Sequence, residues 1–310
     1  MIYGYTSKST LADMHTQAKL LRSKITNLTF SLASHQCVDS AMSNLKNDGI
    51  TTIKNIYKTQ TIEAVRNAAL HAIDNKKISR VRNRAAESKS DIANGSFRFF
   101  TPDELRSQDF ILQERANVVS VLDPFENIPD LYKLVFEKQL LAYAAKYFGS
   151  IPLVSFVKLT MSFCNSLPDS DTQFWHVDFG AKKILKAIVY LHDVGPFEGA
   201  FCYIKGSHHK KFKGWNLQSR YETEQMKKIY NHDCLYPATA NSGDCVLAET
   251  SGFHKGERPI EKSRLCLIFN FTLHPEVGFP WNKINMPRSV YDKLCSDQQH
   301  FVSHDIFNIT

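Results

Sequence analysis

The sequence contains no apolar run of about 18 residues or more, so no single helix of it is expected to cross a bilayer. Its N-terminal stretch, MIYGYTSKSTLADMHTQAKL, has no apolar signal core, and a cytoplasmic location is the expectation. None of its seven cysteines, Cys37, Cys164, Cys202, Cys234, Cys245, Cys266 and Cys295, forms a C-x-x-C pair. That argues against a zinc ribbon or a thioredoxin-type site. Several sit inside apolar runs, where a buried free thiol is the ordinary state, and an odd count fits a reducing compartment. There is no internal repeat, no low-complexity segment and no Pro- or Ser-rich linker.

What is present is an ordinary globular composition over 310 residues, with 43% hydrophobic and 22% charged residues. Disorder, collagen and coiled coil are excluded. A chain of about 300 residues buries roughly three quarters of its unfolded surface, enough for a core without disulfides. The net charge of +7 is modest. Basic residues cluster in NKKISRVRNR (75–84) and KGSHHKKFK (205–213), either as solvated surface or as attraction for an acidic small molecule. No nucleic-acid motif accompanies them, and no nucleic-acid partner is expected.

The first half reads as helical, about residues 1–149. Leu11, Met14, Ala18, Leu21 and Ile25 fall at three- and four-residue spacing. Asn47-Asp48-Gly49 breaks the pattern, Ile50–Ile53 reads as a short strand, and a helix follows from Thr61 to Ile73. Residues 80–125 read as long loops. Residues 129–148 predict one amphipathic helix stopped by Gly149. From 150 the pattern changes to short β-rich runs, 151–163, 174–179, 184–193, 200–204, 244–249 and 264–273. A polar, partly helical insertion at 207–240 is placed to serve as a lid. The expectation is one integrated domain over 1–310, with a β core at about 150–275 and a C-terminal tail at 276–310.

The sharpest chemical feature is His176-Val177-Asp178. Side chains at i and i+2 on an extended segment share a face, so an imidazole and a carboxylate can reach one ion. His254 is the best third ligand. Two histidines and one carboxylate on a common face, with other positions open, suit non-haem Fe(II). H-x-D alone is weak, because a hydrogen-bonded surface pair reads the same way. His192-Asp193 is an example, read as ending a strand and capping a turn. Arg264 opens an apolar strand, where a guanidinium is costly to bury without an anion. It can clamp a carboxylate with two hydrogen bonds, or it can sit at a strand edge paired with Glu257 or Glu261.

Four ordered blocks extend the pattern. Phe174–Gly180 resembles the W-H-x-D segment of the phytanoyl-CoA dioxygenase family, and Glu198–His208 resembles that family's N-G-A…P-G-S-H turn. Gly243–Leu247 with Ser251–Gly256 resembles its G-D and distal-histidine block, and Asn47–Ile50 its N-terminal opening. The resemblance covers roughly residues 45–275. It implies an all-β core with flanking helices (α+β): a double-stranded β-helix, the cupin-like jelly roll, buttressed by N-terminal helices. It implies Fe(II), 2-oxoglutarate and O2 as cofactor and cosubstrates, with succinate and CO2 released. His176, Asp178 and His254 match the metal ligands, and Arg264 matches the residue that binds the remote carboxylate of 2-oxoglutarate.

The implied activity is hydroxylation of an unactivated C–H bond in a small molecule, with anionic and carrier-linked substrates included. Asp178 retains the carboxylate that related halogenases lack. Desaturation or ring closure is the alternative outcome, a non-catalytic jelly-roll binding module is the alternative of another class, and a protein or nucleic-acid hydroxylase is a third reading. Glu198 and Lys205 replace the family's Asn and Pro, so an altered turn over an intact core is expected. Gly256 stands where some members carry a helper hydroxyl. Lys158, Thr160 and Gln173 are the candidates to replace it. Trp175 and Phe179 are read as pocket wall or core packing. Lys210, Lys211 and Arg220 are candidates to meet an anionic substrate, and Ser207 and His208 are read as structural.

Overall fold

The computed structural model describes residues 36–75, 77–83, 116–166, 169, 171–274 and 283–310. The periodic segment at 11–25 lies outside them. Two β-sheets form the frame. Ten strands supply them: β1 (Ile50–Ile53), β2 (Ile78–Asn83), β3 (Ala116–Val121), β4 (Leu153–Ser162), β5 (Leu185–Tyr190), β6 (Phe201–Ile204), β7 (Leu235–Ala238), β8 (Cys245–Glu249), β9 (His254–Gly256) and β10 (Arg264–Thr272). The large sheet runs β1-β8-β5-β10-β4-β3-β2 and the small one β7-β6-β9, with antiparallel pairing throughout. The two sheets are the layers of a jelly roll.

Alternation along β4, β5 and β10 sets the function of each face. Odd-numbered residues, among them Val157, Leu159, Ala187, Val189, Leu265, Leu267 and Phe269, join one large apolar cluster with the helices. Those helices are α1 (Gln36–Asn47), α2 (Thr59–Asp74) and α3 (Lys138–Phe148). Even-numbered residues turn to the space between the sheets. There Ile188, Tyr190 and Cys266 meet Phe201 and Tyr203 of the small sheet. Both faces of β5 and β10 are therefore largely buried, which explains their mostly apolar sequence.

Gly49 stops α1 and starts β1. Its φ of +81° is open to glycine, and a Cβ there would meet the Tyr203 hydroxyl at 2.4 Å.

Several sequence expectations need correction. Residues 80–125 are not all loop: β2 and β3 pair with each other and dock on β4, and the β-branched run in ANVVSV carried that signal. The helix expected over 129–148 is two pieces, Tyr132–Val135 and α3. Between them Glu137 turns extended, and its carboxylate accepts from the backbone N–H of Gln139 and Leu140, which caps a new helix instead of continuing the old one. Gly149 ends α3 in the left-handed region, as expected. Residues 174–179 form no full strand and pair only through single bridges, Trp175 with Tyr221 and His176 with His254. The insertion at 207–240 contains α4 (Thr223–Ile229) but ends in β7, a member of the small sheet. The C-terminal tail expected at 276–310 is structured from 283 on. It pairs β11 (Ile284–Met286) with β12 (Phe307–Ile309) in parallel and buries Met286, Phe301, Ile306 and Phe307 in the main core.

Candidate metal centre

His176 follows a short 3-10 turn at Asp171–Gln173, and His254 opens β9. The two backbones exchange hydrogen bonds, each N–H donating to the other's carbonyl at 2.9 Å. That pairing sets the two imidazoles side by side, ring centroids 4.3 Å apart. Asp178 N–H donates to Thr250 O at 2.8 Å, which ties the carboxylate's backbone to the segment before β9. His176 Nε2 lies 3.9 Å and His254 Nε2 3.6 Å from Asp178 Oδ1. The three ligand atoms all lie within 4.8 Å of one another, the one such group among the described residues.

The hydrogen bonds decide which ring nitrogen is free. Nδ1 of His176 faces Phe174 O at 2.8 Å, and Nδ1 of His254 faces Gly252 O at 3.0 Å. A carbonyl only accepts, so both Nδ1 atoms carry the proton. Nε2 is then the lone-pair nitrogen of each neutral ring. Nε2 of His254 is buried and has no hydrogen-bond partner. A cation between the three groups satisfies that orphan, and the donor set of two imidazoles and one carboxylate suits Fe(II) with positions left open. Burial, then the neighbouring His254, holds the His176 imidazole well below its ordinary range, despite the opposing pull of Asp178. For Asp178 burial works against ionisation, but Lys186, followed by His254, holds its carboxyl well below the usual range. His176 is thus set as a neutral ring and Asp178 as an anion, the forms that bind metal.

Beside the triad a cavity of about 150 Å³ opens between the sheets. That is several times the roughly 30 Å³ a water occupies in the liquid. Its wall is the even face of the strands: Phe156, Lys158, Thr160 and Ser162 of β4, Lys186, Ile188 and Tyr190 of β5, and Arg264, Cys266 and Ile268 of β10. Gln173, His176, His254 and Gly256 close it from the other side. Arg264 is buried, donates to Ser162 Oγ at 3.1 Å and leaves Nε without a partner. Neither Glu257 nor Glu261 pairs with it; Glu257 pairs with Lys255 at 2.7 Å. Gly256 lies alongside, where a Cβ would stand 3.2 Å from an Arg264 terminal nitrogen. A buried guanidinium with an unpartnered Nε at a cavity wall has the chemistry to receive a carboxylate.

Of the residues expected near the site, Lys158, Thr160 and Gln173 line this cavity. Trp175 does not: it is buried behind the metal ligands, among Val177, Tyr221 and Phe253, and its indole N–H meets Thr223 at 3.3 Å. Phe179 is turned outward, 61% exposed and stacked on Trp215. Lys210 is exposed on the surface, away from the cavity wall. Arg220 pairs with Asp171 at 2.9 Å, close enough for its charge to act on His176. Ser207 is buried and bridges Ile204 O and Phe253 N–H, a structural role that holds the approach to His254. Glu198 and Lys205 keep the turn intact, Glu198 accepting from Gly195 N–H at 2.7 Å and Lys205 pairing with Asp48 at 3.2 Å. His192 does more than cap a turn, because its Nε2 accepts from Leu265 N–H at 3.1 Å and pins the start of β10. Lys186 and Ser162 were missed in the sequence, although both sit on the alternating face that Lys158 and Thr160 already marked.

No curated protein is a significant match to the chain. Solved structures share its fold. The epimerase SnoN, in complex with Fe3+, alpha ketoglutarate and nogalamycin RO, is 15% identical at TM-score 0.54, over 76% of this chain and 83% of that one. AviO1 from Streptomyces viridochromogenes Tue57 is 14% identical at TM-score 0.51, over 77% and 97%. EctD from S. alaskensis, with bound Fe, is 13% identical at TM-score 0.52, over 77% and 80%. The sequence profile of phytanoyl-CoA dioxygenase (PhyH) matches residues 45–260, well over half of the chain. With the four motif blocks inside that match and an iron-compatible triad at its centre, the chain belongs to the phytanoyl-CoA dioxygenase family and is a non-haem iron oxygenase dependent on 2-oxoglutarate.

Proposed function

We propose that the protein hydroxylates an unactivated C–H bond of a small molecule, with His176, Asp178 and His254 as the Fe(II) ligands and Arg264 as the receptor for the remote carboxylate of 2-oxoglutarate. The single observation that carries the reading is the orphaned, buried Nε2 of His254 facing Asp178 Oδ1 beside His176. Bound iron supplies the activation of O2 that is coupled to decarboxylation of 2-oxoglutarate. The chain's own contribution is placement. The carbonyls of Phe174 and Gly252 fix the ring tautomers. Arg264 and Ser162 offer hydrogen-bond donors at the cavity wall. Phe156, Ile188, Phe201 and Ile268 give the same cavity an apolar lining that limits water. Lys158, Thr160 and Gln173 are the proposed further contacts of the cosubstrate.

Retention of Asp178 favours hydroxylation over halogenation, since no ligand position is vacated for a halide. Ring closure or desaturation begins with the same removal of a hydrogen atom, so the outcome is set by how the substrate is held. Anaerobic titration of the Fe(II)-loaded protein with 2-oxoglutarate tests the reading. A visible charge-transfer band is expected in the wild type and absent in His176→Ala and Asp178→Ala, both still folded by circular dichroism. A folded, iron-loaded wild type without the band removes the cosubstrate assignment. A band that survives both substitutions removes the ligand assignment.

A further inference from the structure

The two oxygens of Asp178 have different partners. Oδ1 faces the two Nε2 atoms, whereas Oδ2 is held by Lys186 Nζ at 2.6 Å. Lys186 is the second residue of β5, in register with Ala248 of β8 on one side and Asn270 of β10 on the other. Its side chain is 14% exposed and lines the cavity wall. The neighbouring inward positions on β5 are Ile188 and Tyr190, so packing alone does not require a charge there. A lysine mostly withdrawn from solvent on a strand costs desolvation that an apolar residue would avoid. Among the described residues its one ion pair is with the triad's carboxylate.

We propose that Lys186 is a positioning residue for the metal centre: by clamping Oδ2 it presents Oδ1 alone to the ion and keeps the carboxylate from turning its second oxygen into a position that the cosubstrate needs. The inference rests on the proposed ligand set, and it makes Lys186 a partner of Asp178 and not of 2-oxoglutarate.

Two effects of opposite sign make the test decisive. Lys186 as a mere neighbouring charge repels a divalent cation, so its loss tightens metal binding. Lys186 as the holder of Asp178 preorganises the site, so its loss weakens metal binding. The experiment titrates full-length protein with Co(II), free of 2-oxoglutarate, and follows the visible d–d absorption. Lys186→Met is expected to lose about tenfold in Co(II) affinity, the lower end of what the removal of a ligand's hydrogen-bond partner costs. Its band is expected to change shape as well, while Lys186→Arg, which can still hold Oδ2, stays close to wild type. Should the methionine variant fail to fold, Lys186→Ala, which likewise has no donor for Oδ2, carries the same comparison. An unchanged or tightened Co(II) affinity with an unchanged band overturns the proposal, as does weakened 2-oxoglutarate binding with an unaltered band, which would place Lys186 on the cosubstrate. A wild type that binds no Co(II) overturns the ligand set beneath it, a result distinct from either.

Discussion

Arg264 shows what one residue contributes beyond its charge. It sits at the first position of β10, buried, with Ser162 as its hydrogen-bond partner and Nε unused. In a site that never received an anion, such a group would be a standing desolvation cost. Arg264→Ala is therefore expected to raise the KM for 2-oxoglutarate about a hundredfold, the equivalent of two charge-assisted hydrogen bonds at about 1.5 kcal/mol each. Iron binding should remain, because Arg264 is not among the grouped ligands. Arg264→Lys keeps the charge and loses the fork, so it should recover only part. An unchanged KM in the alanine variant returns Arg264 to a structural role. The residue was legible in the sequence because an arginine opening the apolar run LCLIF is conspicuous. Lys186 was equally conspicuous in LKAIVY, but it had no motif neighbour to give it meaning, and its partner Asp178 is eight positions away across a turn.

At the scale of elements, the G-D block turns out to be architecture more than chemistry. Asp244 is buried just ahead of β8, and its carboxylate accepts from Asn55 N–H at 2.9 Å, Asn241 N–H at 3.1 Å and Lys54 Nζ at 2.8 Å. It thereby ties the end of β1 to the turn that launches β8, and β8 ends in the segment that leads to His254. Asp244→Ala removes two hydrogen bonds from backbone donors to a buried carboxylate and should cost about 3 kcal/mol, at about 1.5 kcal/mol for each hydrogen bond to a charged group. The midpoint of urea unfolding measures this directly, and a shift below a third of that size would show that water replaces the carboxylate. Strands with β-branched, apolar runs and glycine punctuation were readable, as β1, β5, β6, β8 and β10 attest. The break inside 129–148 was not. Leu134, Val135, Phe136, Leu140 and Leu141 form one continuous apolar stripe, and only the capping geometry of Glu137 reveals that the helix restarts. Strands β7 and β9 were missed for another reason. They are four and three residues long and owe their existence to pairing with β6 rather than to local propensity.

For the whole molecule, the pieces act through a shared core. One apolar cluster runs from Ala41 in α1 to Phe307 near the C-terminus, so the helices, the large sheet and the C-terminal strands are packed against one another. The small sheet carries His254, and β5 and β10 carry Lys186 and Arg264. The geometry of the centre therefore depends on the spacing of the two sheets, and that spacing should respond to pH through histidines. Burial pushes the imidazoles of His176, His192 and His208 below their ordinary value, so all three resist protonation when folded. The unfolded chain takes up protons as pH falls through about 6.5, while these three folded-state rings do not. By linkage the stability they contribute is present above that pH and is lost progressively below it. Asp178 does not contribute in this window, because its carboxyl is held ionised to well below it. The Tm of chelator-treated protein should therefore fall as pH is lowered from about 7.5 to about 5.5, across the unfolded histidine value. Metal-loaded protein should fall more steeply, since protons then compete with the ion for Nε2. A Tm that stays flat in the chelated protein would mean that these rings accept protons without disturbing their hydrogen bonds. That would contradict the neutral Nε2 of His192 that accepts from Leu265 and anchors the strand bearing Arg264.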